Sequence, residues 1–100
     1  MVKEINEKDF SEVITGDKVF VDCYATWCGP CKMLSPIVDS ISEDFKDVEF
    51  YKLDVDEAQN IASEYGIMSI PTLLIFEKGE LRNKAVGFKS REELEELLRF

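Results

Sequence analysis

The stretch that decides this chain is Trp27-Cys28-Gly29-Pro30-Cys31-Lys32. Two cysteines separated by two residues can form a small disulfide or a reactive dithiol, and the same spacing is half of a metal site. An apolar run, Val19-Phe20-Val21, precedes the stretch, and the residues after it have helical spacing. This context places Cys28 at the N-terminus of a helix, where backbone N–H groups and the helix dipole favour a thiolate. The pattern therefore predicts a nucleophile for thiol–disulfide exchange.

Length and composition indicate one small domain. The chain has 100 residues, of which 45% are hydrophobic, and we expect a single domain over residues 1–100. Three cysteines are too few for a disulfide-stapled mini-protein. Charged residues follow Met1 at once, and no apolar run approaches the length of a membrane span. We therefore expect a cytoplasmic protein whose paired cysteines are catalytic or metal-binding.

The charge balance is strongly acidic. Twelve basic residues stand against 21 acidic ones, a net charge of −9. This balance argues against nucleic acid or an anionic membrane as a partner. It favours solubility and partners that present a basic docking face.

Hydrophobic periodicity predicts nine elements in the order β-α-β-α-β-α-β-β-α. The predicted strands cover residues 2–5, 18–25, 48–55, 72–77 and 81–86. Three of the four helices are predicted to be capped by Asn6, Asp56 and Ser90, and the second helix is predicted to begin at Cys28. Strands that alternate with helices predict parallel pairing with helices on both faces, and the Lys78-Gly79 turn adds an antiparallel hairpin. Pro36 is expected to kink the second helix, with a break into two helices as the alternative.

Two segments of the chain resemble the thioredoxin family. Residues 21–32, Val-Asp-Cys-Tyr-Ala-Thr-Trp-Cys-Gly-Pro-Cys-Lys, are similar to its active-site segment, and residues 66–76, Gly-Ile-Met-Ser-Ile-Pro-Thr-Leu-Leu-Ile-Phe, to its proline segment and the following strand. Residues 76–80 and 86–87 also match in type and spacing. The resemblance covers nearly the whole chain. It implies an α/β thioredoxin fold, a central mixed sheet of about five strands flanked by about four helices, and a general protein-disulfide oxidoreductase activity.

The resemblance assigns roles to the residues of the motif. Cys28 is expected to be the exposed attacking thiolate, and Cys31, one helical turn inward, the shielded resolving thiol. Gly29 and Pro30 are expected to set the redox poise, since proline is tolerated in the first turn of a helix. The chain has no histidine to stabilise the thiolate, so we expect a reductant.

A carboxylate stands out in the strand before the motif. Asp22 lies in the apolar run 19–24, where a buried carboxyl is costly unless it is hydrogen-bonded or protonated. The resemblance places it behind Cys31 as a proton carrier, and burial is expected to raise its pKa. The alternative is an exposed strand face. Lys52 matches a family lysine near this aspartate, with an ordinary surface lysine as the alternative.

The resemblance also implies a docking surface for substrates. It makes the Ile70-Pro71 bond cis and pairs the backbone before the proline with an extended substrate segment. The residues expected to bind substrate around Cys28 are Trp27, Gly66, Ile67, Ile70, Pro71 and Gly87. Cys23 departs from the family pattern, and we interpret it as a small buried apolar residue that points away from Asp22.

Three other functions fit parts of the pattern. A non-catalytic docking subunit of the same fold usually lacks one cysteine or the aspartate. A metal or iron–sulfur site of four protein ligands needs more ligands than this chain offers, since it has three cysteines and no histidine. A glutaredoxin-like enzyme usually has a tyrosine between the cysteines.

We expect a monomer with no tightly bound cofactor, whose partners are disulfide-containing target proteins and a flavin- or ferredoxin-dependent thioredoxin reductase.

Overall fold

A computed structural model describes all residues from Met1 to Phe100, and its elements follow the predicted order. The strands are β1 Val2–Ile5, β2 Val19–Tyr24, β3 Glu49–Asp54, β4 Thr72–Glu77 and β5 Glu80–Val86. The helices are α1 Glu7–Val13, α2 Gly29–Asp44, α3 Gln59–Glu64 and α4 Arg91–Leu97, with a 3₁₀ turn at Val55–Glu57 before α3.

The five strands form one mixed sheet in the order β1-β3-β2-β4-β5. β3 pairs parallel with both β1 and β2, and β4 pairs antiparallel with β5, as the predicted hairpin requires. The prediction that β4 pairs parallel with its neighbour across the preceding helix was wrong, because β4 runs antiparallel to β2. The six-residue α3 spans about 9 Å, roughly half of the length of a six-residue strand. The chain therefore enters β4 at the edge where β2 ends, and this places the loop before β4 beside the cysteines.

The helices cover both faces of the sheet and bury two separate cores. Alternation along β2 sends Val19, Val21 and Cys23 into the core beside α1 and α3. Phe20 enters the opposite core, which contains residues of α2 and α4. Asp22 follows the same alternation as Phe20. Its side chain therefore faces α2, the helix that begins with the cysteine pair.

The ends of the helices agree with the prediction except at α3. Asn6 caps α1, and Ser90 forms a capping box with Glu93 at α4. The prediction that Asp56 caps α3 was wrong, since α3 has no side-chain cap of its own. Its first N–H groups instead donate to the Glu7 carboxylate of α1, from Asn60 at 2.9 Å and Ile61 at 3.3 Å. Asp56 is occupied elsewhere, as described below.

The longest helix, α2, is continuous over 16 residues with Pro36 inside it. The alternative of two separate helices is therefore wrong. None of the helices has the length and apolar character that a membrane crossing requires.

Candidate active site

A disulfide lies at the N-terminus of α2. Cys28 is the N-cap residue and is bonded to Cys31, with 5.3 Å between their Cα atoms. The Cys31 N–H donates to Cys28 Sγ at 3.2 Å. Gly29 and Pro30 form the first turn, where the missing N–H of proline leaves no helical bond unmade. After reduction, the same N–H and the helix dipole stabilise negative charge on Cys28 Sγ.

Both cysteines are shielded in the oxidised protein. Cys28 and Cys31 are each only 4% exposed, so the expectation of an exposed Cys28 was wrong. The pair packs against Tyr24, Val55 and Ile70. Cys28 Sγ lies 3.8 Å from the carbonyl oxygen of Ile70. Part of this cover, Ile70, comes from the loop before β4, which is remote in sequence and so leaves no sign in the motif itself.

That loop contains a cis peptide bond between Ile70 and Pro71. Two hydrogen bonds hold the part of this loop that leads into β4. The Thr72 hydroxyl donates to the Ser69 carbonyl at 2.5 Å, and the Gly87 N–H donates to the Pro71 carbonyl at 2.8 Å. Gly87 has a φ of 94°, a conformation that favours glycine. The loop is thus held beside the disulfide at its junction with β4.

The predicted substrate-binding residues do not all lie together. Trp27 is 69% exposed beside Cys28, and its Nε1–H donates to the Asp56 carboxylate at 2.8 Å. Gly66 is exposed in a left-handed conformation, with φ 61°. Ile67 is half-buried against the core beside α1 and α3, away from the apolar cover of the disulfide. Met68, which the sequence analysis did not single out, is 95% exposed in this loop.

Asp22 is buried beneath the disulfide end of the sheet. Its side chain is 5% exposed, and Oδ1 has no hydrogen-bond partner. Burial raises the pKa of Asp22 to about 7, an effect that the Lys52 ammonium partly opposes and the Asp39 and Glu4 carboxylates reinforce. The alternative of an exposed aspartate is therefore wrong. A carboxyl with this pKa exchanges protons near neutral pH.

Asp22 and Cys31 line the same small pocket. Its volume is about 240 Å³, and its other lining residues are Tyr24, Ala25, Thr26, Lys32, Ser35 and Lys52. Lys52 is half-buried and stands opposite Asp22 in the pairing of β3 with β2. Although most of the lining surface is apolar, Asp22, Ser35 and Lys52 supply polar groups, and the pocket is large enough for several waters that can carry a proton between the carboxyl and the thiol.

The third cysteine is separate from this chemistry. Cys23 is fully buried in the core on the opposite side of the sheet, where burial and the nearby Asp22 charge raise its pKa to about 12. A thiol with such a pKa carries almost no thiolate at neutral pH. Cys23 therefore packs as the small apolar residue that alternation predicts.

The sequence analysis missed several contacts around the site. Asp56 holds the Trp27 indole, and the Lys84 ammonium donates to the carbonyls of Tyr65 and Gly66 at 2.8 and 3.3 Å. The Tyr24 hydroxyl donates to the Glu4 carboxylate at 2.8 Å. The partners in these bonds are 18 to 29 residues apart, and no local spacing signals them.

The fold and this site define a class of protein. A pair of bonded cysteines at a helix N-terminus, with a buried carboxyl beneath it, is typical of a thiol–disulfide oxidoreductase.

Comparison with known proteins identifies the family within this class. The family model described as Thioredoxin matches residues 1–99. Thioredoxin from Mycoplasmoides gallisepticum is 47% identical over 95 residues, covering 94% of this chain and 95% of that protein. A solved mutant thioredoxin from Halobacterium salinarum superposes with a TM-score of 0.90 at 37% identity, covering 97% of this chain and 87% of that chain.

A second solved structure comes from work on thiol resolution in yeast mitochondrial 1-Cys peroxiredoxin through the glutathione and thioredoxin systems. It superposes with a TM-score of 0.89 at 35% identity, covering 97% of this chain and 92% of that chain. The chain belongs to the thioredoxin family. It is a protein-disulfide oxidoreductase whose C-x-x-C pair performs dithiol–disulfide exchange, and its partners are a reductase and disulfide-containing targets.

Proposed function

We propose that this chain is a general disulfide reductant in which Cys28 attacks and Cys31 resolves. The observation that carries the assignment is the hydrogen bond from the Cys31 N–H to Cys28 Sγ at the start of α2. A thiolate in this position accepts that bond and faces the positive end of the helix dipole. Cys31 lies one turn inside the helix and lacks the terminal position.

The exchange proceeds in two steps. The Cys28 thiolate attacks one sulfur of a target disulfide, which forms a mixed disulfide and expels the other target sulfur as a thiolate. Cys31 then loses its proton and attacks Cys28 Sγ, which releases the second target sulfur and leaves the Cys28–Cys31 disulfide. Two electrons pass to the target, which ends as a dithiol after taking up two protons.

Asp22 acts as the proton carrier for Cys31 in this proposal. Its shared pocket with Cys31 and its pKa of about 7 support the role, because such a group both accepts and returns a proton near neutral pH. Lys52 faces the same pocket and stabilises the ionised form of Asp22. The Lys52 charge thereby lowers the affinity of the Asp22 carboxyl for its proton.

Gly29 and Pro30 favour a reducing pair. They place no charged or imidazole group between the cysteines, so the Cys28 thiolate is stabilised only by the helix end. A less stabilised thiolate makes the dithiol form a stronger reductant.

Substrates are proposed to dock at the exposed loop and indole around the disulfide. The surface consists of Trp27, Gly66, Ile70 and Gly87, with the predicted Pro71 buried behind it, and it presents the Ile70 backbone for pairing with an extended target segment. Ile67 supports the loop from inside the core in this arrangement. Recognition through backbone and a disulfide accommodates many targets.

The partners follow from the chemistry. A flavin- or ferredoxin-dependent thioredoxin reductase is proposed to restore the dithiol, since the exchange leaves the pair oxidised. A peroxiredoxin is one candidate target, because a similar solved structure comes from work on such a system. We further propose a single-domain cytoplasmic monomer over residues 1–100 with no tightly bound cofactor, consistent with its few cysteines.

The proposal is tested by measuring the rate at which this chain catalyses reduction of the disulfides of a test protein such as insulin. The wild-type chain with a dithiol reductant is expected to reduce it catalytically, and Asp22→Asn is expected to slow the reaction and flatten its pH dependence. No catalysis by the wild-type chain would favour a docking subunit, and dependence on glutathione would favour a glutaredoxin-like enzyme. An unchanged pH profile in Asp22→Asn would remove Asp22 from the proton path.

A further inference from the structure

Three charged residues form a row across the sheet. Glu4 of β1 pairs with Lys52 of β3, and Lys52 pairs with Asp22 of β2. Paired residues of neighbouring strands point to the same face, so all three side chains lie on the side of α2. Glu4 is two strand spacings from Asp22, about 10 Å. Lys52 therefore stands between the two acidic residues in the row.

The outer carboxylate is held in place. The Tyr24 hydroxyl donates to Glu4 Oε1 at 2.8 Å, and the Lys52 Nζ lies 6.0 Å from the centre of the Tyr24 ring. Burial and the Glu4 contact raise the pKa of Tyr24 above its usual range, so the hydroxyl keeps the proton it donates. Lys52 takes part in none of the salt bridges of the structure. Its ammonium is thus paired with neither carboxylate at salt-bridge distance.

Tyr24 also separates two pockets. One is the pocket of Asp22 and Cys31, and the other is a wider acidic pocket of about 400 Å³ lined by Glu4, Glu7, Asp54 and Glu57 among others. Tyr24 is the one residue that lines both. Its hydroxyl therefore fixes a negative charge at the border of the proton pocket.

We propose that Glu4, held by Tyr24, is a positioning residue for the exchange reaction: its fixed negative charge, in one row with Lys52 and Asp22, opposes ionisation of Asp22 and so sets the pH range in which Asp22 exchanges a proton with Cys31. The inference rests on the proposed proton role of Asp22. The charged and titratable groups that face Asp22 are Lys52 from β3, Glu4 from β1, Tyr24 from its own strand, and Asp39, Cys31 and Lys32 from α2. Among the charged ones, Glu4 alone is fixed by a hydrogen bond to a pocket-lining side chain.

Substitutions at Glu4 test the inference without touching the cysteines. Glu4→Gln removes the charge and keeps an oxygen that accepts from Tyr24, and Glu4→Lys reverses the charge. Glu12→Gln, on the exposed side of α1, removes the same charge elsewhere. The readouts are the titration of the Asp22 carboxyl followed by carbon NMR and the pH dependence of protein-disulfide reduction.

Loss of a negative charge favours ionised Asp22. Glu4→Gln is therefore expected to lower the midpoint of the Asp22 titration and the midpoint of the pH–rate profile by about 0.3–1 pH unit each. This is the size expected for a charge about 10 Å away at a partly solvated site, and Glu4→Lys should lower both midpoints by about twice as much. Glu12→Gln should leave both midpoints in place. An unmoved Asp22 midpoint in Glu4→Gln, or an equal shift in Glu12→Gln, overturns the role of Glu4.

The Asp22→Asn background separates this inference from the proposed function. If Asp22→Asn abolishes the pH step and Glu4→Gln then has no further effect, Glu4 acts through Asp22 as proposed. If Asp22→Asn leaves the rate profile unchanged, the proton role itself fails and the inference falls with it. If Asp22→Asn changes the profile while Glu4→Gln does not, only the role of Glu4 fails.

Discussion

At the scale of the residue, Asp22 carries a stability penalty that its proposed role as proton carrier explains. The sequence shows an aspartate within an apolar run, and the side on which it points follows from alternation along β2. The Oδ1 atom of Asp22 has no hydrogen-bond partner, and the charges around it come from α2, β3 and β1. No local sequence pattern reveals either feature. The fold keeps a poorly solvated carboxyl where hydrophobic packing would be more stable.

This penalty depends on pH. The pKa of Asp22 is about 7 in the folded state against 3.8 as the ordinary value, so the folded protein binds more protons than the unfolded chain between about pH 4 and pH 7. Stability is therefore lost as pH rises through this window, by on the order of 4 kcal/mol when complete. Asp22→Asn should remove the loss. Urea unfolding of the oxidised proteins should show the variant gaining stability over wild type far more at pH 8 than at pH 4, and an equal difference at both pH values would contradict the burial.

The two active-site cysteines should differ when replaced singly. Cys28→Ser is expected to abolish protein-disulfide reduction, because no thiolate remains at the helix N-terminus. Cys31→Ser should retain the first attack and accumulate a mixed disulfide with the target, visible by non-reducing electrophoresis or mass spectrometry.

Cys23→Ala supplies the control for these variants. Cys23 lies in the core on the other side of the sheet, so the Cys23→Ala variant should keep full exchange activity. A mixed disulfide that accumulates in Cys28→Ser and not in Cys31→Ser would reverse the assignment of attacking and resolving thiols.

At the scale of the element, local signals predict most helix ends, and α3 shows where they fail. Asn6 and Ser90 act as caps because their own side chains reach the first turn of the helix that follows. Asp56 has the same residue chemistry, but the 3₁₀ turn intervenes and its carboxylate binds the Trp27 indole. The cap of α3 is Glu7, more than fifty positions earlier in the chain.

The cap from Glu7 has a measurable effect on stability. Glu7→Ala leaves the first N–H groups of α3 without their carboxylate and should lower the free energy of unfolding by about 1 kcal/mol. Chemical denaturation measures the change, with Glu12→Ala on the same helix as the matched control. Equal small effects of the two substitutions would show that the Glu7 contact adds nothing to α3.

At the scale of the whole molecule, the order of elements and the two-sided covering of the sheet were predictable, whereas the direction of β4 was not. Alternation of strands with helices indicates parallel pairing for β1 to β3 and gives no information on where a short helix returns the chain. The antiparallel entry of β4 puts Ile70 beside Cys28, where it joins Tyr24 and Val55 in covering the cysteine pair. The site thus depends on topology as much as on the six residues of the motif.

The central claim is that Cys28 and Cys31 form a reducing pair, and the reduction potential tests it most directly. The single tryptophan, Trp27, adjoins the pair and reports its state by fluorescence in thiol–disulfide buffers. We expect one reversible two-electron couple more negative than the glutathione pool, which lies at about −220 to −260 mV by extraction. Since about 30 mV changes the equilibrium constant tenfold, the result is decisive. A potential near −180 mV, roughly that of disulfide isomerases, or no reversible couple at all would contradict the account.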